Sequence, residues 1–238
     1  DKKILAREEL INLLKERAFT KPVFIRVNDA MEAIGREDID AISPYQDQIE
    51  AIILPKTQSF DFLATLAPMI DFSNKLVPLI ETPRAIDTVT QIAAFKDVVG
   101  LFFGAADSSA SLGCKLAWEP LLYARQKVVL AAAMYNLFTI DAPFFYIYDK
   151  EGFKNEAEAV KNLGFTGKAA IHPDQIDFIN ESFAPTSEEI AEGKKVLEEY
   201  QKSGGGAVKI DGQMVDEPIA EAMRLKISLG EEESENKD

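Results

Sequence analysis

Short apolar runs alternate along this chain with longer amphipathic stretches. The apolar runs, rich in Val, Ile, Leu and Phe, predict six strands, at residues 23–27, 51–54, 76–80, 98–103, 138–142 and 168–172. Helical spacing predicts helices at residues 59–70, 83–95, 119–137 and 155–163. A first helix carries on one shared face Ile4, Leu5, Leu10, Leu13 and Leu14. Repeated strand–helix units are typical of a parallel α/β fold.

The number of strands bears on how such a sheet closes. The commonest closed form of this pattern is the eight-stranded (β/α)8 barrel, also called the TIM barrel. Six strands are visible, and the sequence opens on a helix that no strand precedes. A closed barrel would therefore need two more strands.

The pattern changes after the last predicted strand. Helices are predicted at residues 174–183 and 187–203, followed by a hinge-like glycine triplet at 204–206. Residues 207–215 alternate like a short hairpin about Asp211-Gly212, and Pro218 opens a last helix that ends near Leu229. The charged run at 231–238 is typical of a frayed, solvated tail. We therefore predict a barrel domain over residues 1–185, a C-terminal helix with a lid segment over 186–230, and an acidic tail over 231–238.

Composition narrows the class of protein. With 238 residues, of which 47% are apolar and 28% charged, the chain is typical of a globular protein. The formal net charge of -14 disfavours nucleic acid and anionic membranes as partners. The single cysteine, Cys114, leaves no disulfide framework, and the sequence has no run of about 18 apolar residues that would span a bilayer. We therefore expect a reducing, cytoplasmic location.

Two acidic residues follow consecutive predicted strands. Glu81 follows the strand at 76–80, and Asp107 follows the strand at 98–103. Parallel α/β barrels place their active sites at the carboxyl ends of the strands, so both side chains should face one pocket. Two carboxylates, with water and substrate completing the shell, are how proteins usually hold Mg²⁺. Each residue also has an alternative role as a cap, Glu81 for the helix that begins at Pro83 and Asp107 for a turn through Ser108.

Basic residues lie at other strand ends. Arg26 lies near the end of an otherwise apolar strand. In a functional role it would bind a carboxylate or enolate oxygen of a ligand. In a structural role it would extend its charged group to solvent or form an ion pair. Lys56 and Lys168 are placed either to meet phosphates or carboxylates of a substrate or to form salt bridges. The sequence pattern alone leaves these alternatives open.

Six short motifs appear in one order along nearly the whole chain. They are RVN at 26–28, LPK at 54–56, LIET at 79–82, GLFFGAAD at 100–107, GFTGKAAIHP at 164–173 and DGQMVD at 211–216. This set resembles the family that contains the citrate lyase beta subunit, malyl-CoA lyase and citramalyl-CoA lyase, within the HpcH/HpaI aldolase/citrate lyase superfamily. The resemblance implies a (β/α)8 barrel whose first two strands are absent from this sequence.

The resemblance also implies a reaction and a set of site residues. Glu81 and Asp107 match the family's Mg²⁺ ligands, and Arg26 matches a residue that contacts substrate. Lys56, from its position at a strand end, and Glu81 are further expected substrate-binding residues. Asp216 matches an aspartate on a C-terminal lid, the expected proton donor, that commonly reaches a neighbouring subunit. The implied protein is a Mg²⁺-dependent lyase that cleaves an acyl-CoA, a citryl-, malyl- or citramalyl-CoA thioester, to acetyl-CoA and a 2-keto acid. A homotrimer, or a multiple of one, is the expected assembly.

Some positions depart from the family's pattern and keep other functions open. The family's two opening strands, with their acidic motif near the metal, are not found here. Pro83 stands where alanine is common, Ser108 where leucine is usual, and Ile219 where a histidine often follows the lid aspartate. The alternatives are a non-catalytic or carrier-protein-dependent subunit of a citrate lyase-like complex, and an aldolase of free 2-keto acids.

Overall fold

A computed structural model describes residues 2–70, 75–204, 206–210 and 212–235. Its main feature is a six-stranded parallel sheet in which every strand lies beside the next strand of the sequence. The strands are β1 Phe24–Arg26, β2 Ala51–Leu54, β3 Leu76–Ile80, β4 Gly100–Phe103, β5 Phe138–Asp141 and β6 Gly167–Lys168. The α/β fold and the parallel sheet predicted from the alternation are confirmed.

Eight helices accompany this sheet within the described part of residues 1–173. They are α1 Lys2–Lys15, α2 Ala33–Ile42, α3 Phe60–Leu66, α4 Pro83–Asp87, α5 Val89–Ala93, α6 Ala105–Leu112, α7 Trp118–Met134 and α8 Lys150–Leu163. Short 3-10 turns follow α2 and α3, at Ser43–Gln48 and Ala67–Met69. Because each strand is followed by a helix and returns parallel, all six carboxyl ends lie at one edge of the sheet.

The sheet forms a curled half-barrel rather than a full barrel. Strands β2 and β3 are buried along their whole length, because their apolar side chains are covered on both faces. Strand β1 has a mixed pattern in which Ile25 is buried while Phe24 and Arg26 are exposed. Among the described residues this sheet has six strands, whereas a closed TIM barrel has eight.

Several predicted elements differ from the observed ones. The helix predicted at 83–95 is broken at Thr88. The hydroxyl of Thr88 donates to the carbonyl oxygens of Arg84 and Gln58, and such side-chain hydrogen bonds to the backbone compete with regular helix. The strand predicted at 168–172 ends at Lys168, because its partner β5 ends at Asp141 and Pro143 has no N–H for the ladder. Helices α2 and α6 were not predicted.

The first helix is confirmed, but its predicted apolar face is only partly buried. Leu14 is fully buried, whereas Ile4, Leu5 and Leu13 are 46%, 64% and 38% exposed. Among the described residues, none of the helices is both long and apolar enough to cross a membrane.

Residues 174–238 form a second compact unit. Its elements are α9 Ile176–Phe183, α10 Ser187–Lys202, β7 Val208–Ile210, β8 Gln213–Val215 and α11 Glu217–Glu235. The predicted hairpin is present as the antiparallel pair β7–β8, with Gly212 at a positive φ of 89° in its turn, while Asp211 lies outside the described residues. Helix α11 continues to Glu235, into the run predicted as frayed, because glutamate favours helical backbone.

The second unit has its own small core. It is built from Val196, Tyr200, Ile210, Val215 and Ala220. Helix α10 begins with a capping box in which Thr186 and Glu189 bond to each other's backbone N–H groups. The observed units divide at residues 173/174, and the functional segments bounded at 185 and 230 stay a prediction.

Candidate active site

A cleft of about 640 Å³ opens at the carboxyl ends of the first four strands. It is lined by Lys3, Arg26, Val27, Asn28, Asp29, Glu32, Pro55, Lys56, Gln58, Glu81, Thr82, Asp107 and Ser111. Four of the predicted site residues, Arg26, Lys56, Glu81 and Asp107, therefore line one cavity. They come from the ends of β1, β2, β3 and β4, as the parallel topology requires.

The two acidic residues are not helix caps. Helix α4 is capped by Thr82, whose hydroxyl accepts a hydrogen bond from the N–H of Ala85 at 3.1 Å. Asp107 lies inside the first turn of α6, and the residue at the N-cap position of that helix is Gly104. The capping alternatives for Glu81 and Asp107 are therefore wrong, and both carboxylates face the cleft instead.

Burial and a neighbouring carboxylate raise the pKa of Glu81 to about 6. The largest cause is burial, since Glu81 is only 5% exposed. The Asp107 carboxylate adds repulsion and lies close enough to share a hydrogen bond with Glu81. The N–H of Lys56, which donates to Glu81 Oε1 at 2.7 Å, and the positive charge of Arg26 act in the opposite direction. The site therefore holds two neighbouring carboxylates, and the charge of one disfavours ionisation of the other.

Lys56 contributes through its backbone as well as its side chain. It has a left-handed conformation with φ of 55°, which aims its N–H at Glu81 Oε1. Its ammonium lies 3.4 Å from Asp29 Oδ2, with the lysine side chain 60% exposed. The structure thus shows a salt bridge at this position, in a side chain that still borders the cleft.

Arg26 is exposed in the cleft. The structural ion pair considered from the sequence is not observed, since the side chain of Arg26 forms no hydrogen bond or salt bridge with another described residue. Its charge instead acts on Glu81, whose pKa it lowers. A guanidinium in this setting is available to a ligand carboxylate or enolate.

Lys168 has a structural role. Its ammonium is fully buried and donates to Asp141 Oδ2 at 2.8 Å, to Glu156 Oε1 at 2.8 Å and to the Ala142 carbonyl oxygen at 2.7 Å. The other Asp141 oxygen accepts from Arg125 Nε at 2.8 Å. Of the two alternatives for Lys168, the salt-bridge partner is therefore correct, and it is not among the described residues that line the cleft.

Asp216 belongs to the second compact unit. It is exposed and lies between β8 and α11, and its carbonyl oxygen accepts a hydrogen bond from the N–H of Ala220 at 2.9 Å. This places Asp216 at the N-cap position of α11. This position gives Asp216 a second role, as the cap of α11, beside the proton donor that the resemblance implies.

The donor set of the cleft suits Mg²⁺. Within the described residues, no group of three or more His, Cys, Asp or Glu side chains is arranged to hold a metal. Magnesium is usually bound through one or two carboxylates, with water and substrate oxygens completing its octahedron. A divalent cation between Glu81 and Asp107 would also remove the repulsion between them.

Gly104 lies so close to Glu81 that it offers a test of the site's geometry. A Cβ at this position would lie 2.6 Å from Glu81 Cβ, so one of the two must move. We expect Gly104→Ala to destabilise the protein by about 1–3 kcal/mol in urea unfolding. We also expect weaker Mg²⁺ binding by calorimetry, because Glu81 is displaced.

Gly113→Ala is the matched control at the other end of α6. Its φ of 68° makes alanine unfavourable, but an added Cβ would meet nothing within 4 Å. Stability should fall while Mg²⁺ affinity stays unchanged. Equal loss of affinity in both variants would contradict a specific effect on Glu81.

Sequence reasoning did not find every residue of this site. Asp29 and Gln58, which also line the cleft, lie in loops that have no periodic pattern. The left-handed backbone of Lys56 is not visible in the sequence, because non-glycine residues with positive φ have no distinct signature. Asn28 lies in the RVN motif, which does not by itself indicate a role for the Asn28 side chain.

Comparison with known proteins places this site in a family. The model of the HpcH/HpaI aldolase/citrate lyase family matches residues 1–173. The citrate lyase subunit beta of Haemophilus influenzae is 29% identical, over 93% of this chain and 83% of its own. The human mitochondrial citramalyl-CoA lyase is 29% identical, over 86% of this chain and 67% of its own.

Solved structures agree with this similarity. RipC from Yersinia pestis is 39% identical with a TM-score of 0.69, and the match covers 78% of this chain and 84% of that one. Mycobacterium tuberculosis CitE, solved in complex with magnesium, acetoacetate and coenzyme A, is 29% identical with a TM-score of 0.74. That match covers 87% of this chain and 78% of the CitE chain.

Proposed function

Because this chain belongs to the HpcH/HpaI aldolase/citrate lyase family, we propose that it is a Mg²⁺-dependent lyase of 3-hydroxyacyl-CoA thioesters. The observation that carries the proposal is the pair of neighbouring carboxylates, Glu81 and Asp107, that line one cleft together with the exposed Arg26. Similar proteins are named as lyases, and one similar structure holds magnesium together with coenzyme A. The substrate class is a citryl-, malyl- or citramalyl-CoA.

In the proposed reaction, the bond between C2 and C3 of the acyl group breaks. The C3 hydroxyl loses its proton and becomes the carbonyl of a 2-keto acid, while C2 gains a proton and becomes the methyl group of acetyl-CoA. Glu81 and Asp107 would hold Mg²⁺, whose Lewis acidity toward the hydroxyl and carboxylate oxygens of the substrate promotes this cleavage. Arg26 stabilises the negative charge that develops on the thioester, since fixed charges act strongly where water is excluded.

We assign the proton transfer to C2 to Asp216. A carboxyl group can donate this proton only when a closed lid raises its pKa, so residues 186–230 are proposed to act as that lid. Asp216 is exposed in the second unit, in the connection between β8 and α11, so its carboxyl group is accessible to a ligand. We also propose that the protein forms a trimer or a multiple of one, in which the lid of one subunit closes over the cleft of its neighbour.

Two further assignments accompany the function. The six strands, in sequential parallel order, are proposed to be six of the eight strands of a (β/α)8 arrangement. A reducing, cytoplasmic compartment is proposed from the single, free Cys114.

A cleavage assay tests the proposed function. The protein is incubated with citryl-, malyl- and citramalyl-CoA, with and without Mg²⁺, and acetyl-CoA and the 2-keto acid are measured. We expect one thioester to be cleaved in equal yields of both products, and no cleavage in EDTA. Cleavage of free hydroxy-keto acids but of none of the thioesters would instead indicate an aldolase. No cleavage of either class would favour the carrier-dependent or non-catalytic subunit.

A further inference from the structure

Asn28 and Asp38 form a buried polar contact beside the cleft. Asp38, on α2, is 9% exposed. Its Oδ2 accepts from the Asn28 backbone N–H at 2.9 Å and from Asn28 Nδ2 at 2.6 Å. Its Oδ1 accepts from Arg7 Nε at 2.7 Å. The Asp38 carboxylate therefore holds both the backbone and the side chain of Asn28.

This contact fixes which way the Asn28 amide points. A carboxylate that receives three hydrogen bonds is purely an acceptor, so the group that faces it must be the amide NH₂. The carbonyl oxygen Oδ1 must then point away from Asp38. No other described residue donates to this oxygen, and Asn28 lines the cleft. The result is a neutral acceptor in fixed orientation, in a cleft that also contains the charged groups of Arg26, Lys56, Glu81 and Asp107.

A neutral acceptor is complementary to a neutral donor on the ligand. The carboxylates and thioester of the proposed substrate are acceptors, which Arg26 and Lys56 match. The hydroxyl of the acyl group is the donor that lies at the reacting carbon. An amide oxygen accepts a hydrogen bond from a hydroxyl but is too weak a base to remove the hydroxyl proton. It therefore orients the hydroxyl without deprotonating it.

We propose that Asn28 recognises the hydroxyl group of the acyl thioester through Oδ1, and that Asp38 is the positioning residue that fixes the Asn28 amide. This inference rests on the proposed function, since it names the ligand group that the same cleft selects. The Asn28 amide would then distinguish thioesters whose acyl group carries a hydroxyl from thioesters of the same length that lack one. Arg7 contributes indirectly, because it holds Asp38 from the α1 side.

Malyl-CoA and succinyl-CoA provide the test, because they differ only by this hydroxyl. Their affinities are measured by calorimetry in EDTA, where the proposed metal-dependent cleavage cannot occur and metal chelation does not contribute to the preference. We expect the wild-type protein to prefer malyl-CoA by about three- to tenfold, the usual effect of one hydrogen bond. Asn28→Ala should abolish the preference by removing the acceptor.

Asp38→Asn is the informative second variant. It keeps the size of the side chain but introduces an amide that also donates, so the Asn28 amide can rotate and the preference should fall to near onefold. Glu37→Gln is the matched control, because Glu37 neighbours Asp38 on α2 and pairs with the same Arg7, at 3.0 Å from Nη1, without contacting Asn28. It should keep the wild-type preference.

The outcomes separate this inference from the proposed function. Wild-type protein that binds both thioesters equally, or folded Asn28→Ala and Asp38→Asn proteins that keep the preference, would overturn the role of Asn28 and leave the lyase proposal intact. Wild-type protein that binds neither thioester, with or without Mg²⁺, would overturn both. Circular dichroism of each variant shows that the comparison is between folded proteins.

Discussion

Asp216→Asn is expected to lower the turnover of the thioester substrate by at least about a hundredfold, because lost general acid–base catalysis typically costs that much. Substrate and Mg²⁺ should still bind, since the asparagine is nearly isosteric and the loss falls on proton transfer alone. Turnover is measured by acetyl-CoA release, and binding is measured by calorimetry on the same preparation.

The alternative role of Asp216 as the cap of α11 makes a different prediction. Loss of a cap costs about 0.5–2 kcal/mol of stability but leaves the folded fraction near normal turnover. If Asp216→Asn keeps more than about a tenth of wild-type turnover, the catalytic assignment is wrong. Thermal unfolding of both proteins distinguishes a loss of stability from a loss of chemistry.

Mixing two inactive variants tests whether one subunit lends its lid to another. Hetero-oligomers of Asp216→Asn and Glu81→Gln chains contain some pairs in which an intact lid meets an intact carboxylate pair. Partial recovery of activity is expected only if lid and cleft come from different subunits. Recovery that is absent despite verified co-assembly would indicate that each subunit uses its own lid.

Glu81→Gln is expected to weaken Mg²⁺ binding by at least about tenfold, because even an outer-shell partner of a metal ligand is worth that much. The same change should stabilise the metal-free protein. Glutamine keeps the oxygen that accepts from the Lys56 N–H and removes the charge that burial and Asp107 disfavour. The Glu81 carboxylate is thus needed to bind the metal but destabilises the metal-free protein.

The raised pKa of Glu81 determines how the stability of the metal-free protein depends on pH. The pKa of Glu81 is raised from 4.5 to about 6 in the folded protein, so the folded state favours the neutral carboxyl. The resulting stabilisation is fully present below pH 4.5 and is lost as the pH rises through about 6. In EDTA at pH 7.5, Glu81→Gln should therefore be more stable than wild type by about 2 kcal/mol.

Urea unfolding at pH 7.5 and at pH 4.5 checks this expectation. The difference between the two proteins should nearly vanish at the lower pH, where wild-type Glu81 is also neutral. Mg²⁺ affinity of the wild-type protein should fall as the pH drops below about 6, because the cation must then displace a proton. A wild-type protein that is the more stable of the two in EDTA at pH 7.5 would contradict the burial of a strained carboxylate pair.

The sequence pattern is sufficient to predict the repeating strand–helix order and the position of the two carboxylates. Alternating apolar and amphipathic runs are a local property, so the six strands were visible, even though the ends of β6 were not. Parallel topology then brings all strand ends to one edge, which is why the sequence alone predicts that Glu81 and Asp107 lie together. The recognised motifs added the family and its chemistry.

Roles that depend on contacts between distant residues follow from the three-dimensional structure and not from the sequence pattern. Lys56 and Lys168 both lie at an end of a predicted strand, yet one borders the cleft and the other is buried against Asp141 and Glu156. Asp38 reaches Asn28 from a helix that was not predicted. Hydrogen bonds and desolvation depend on which side chains meet in space, and that information is set by packing rather than by the period of the local sequence.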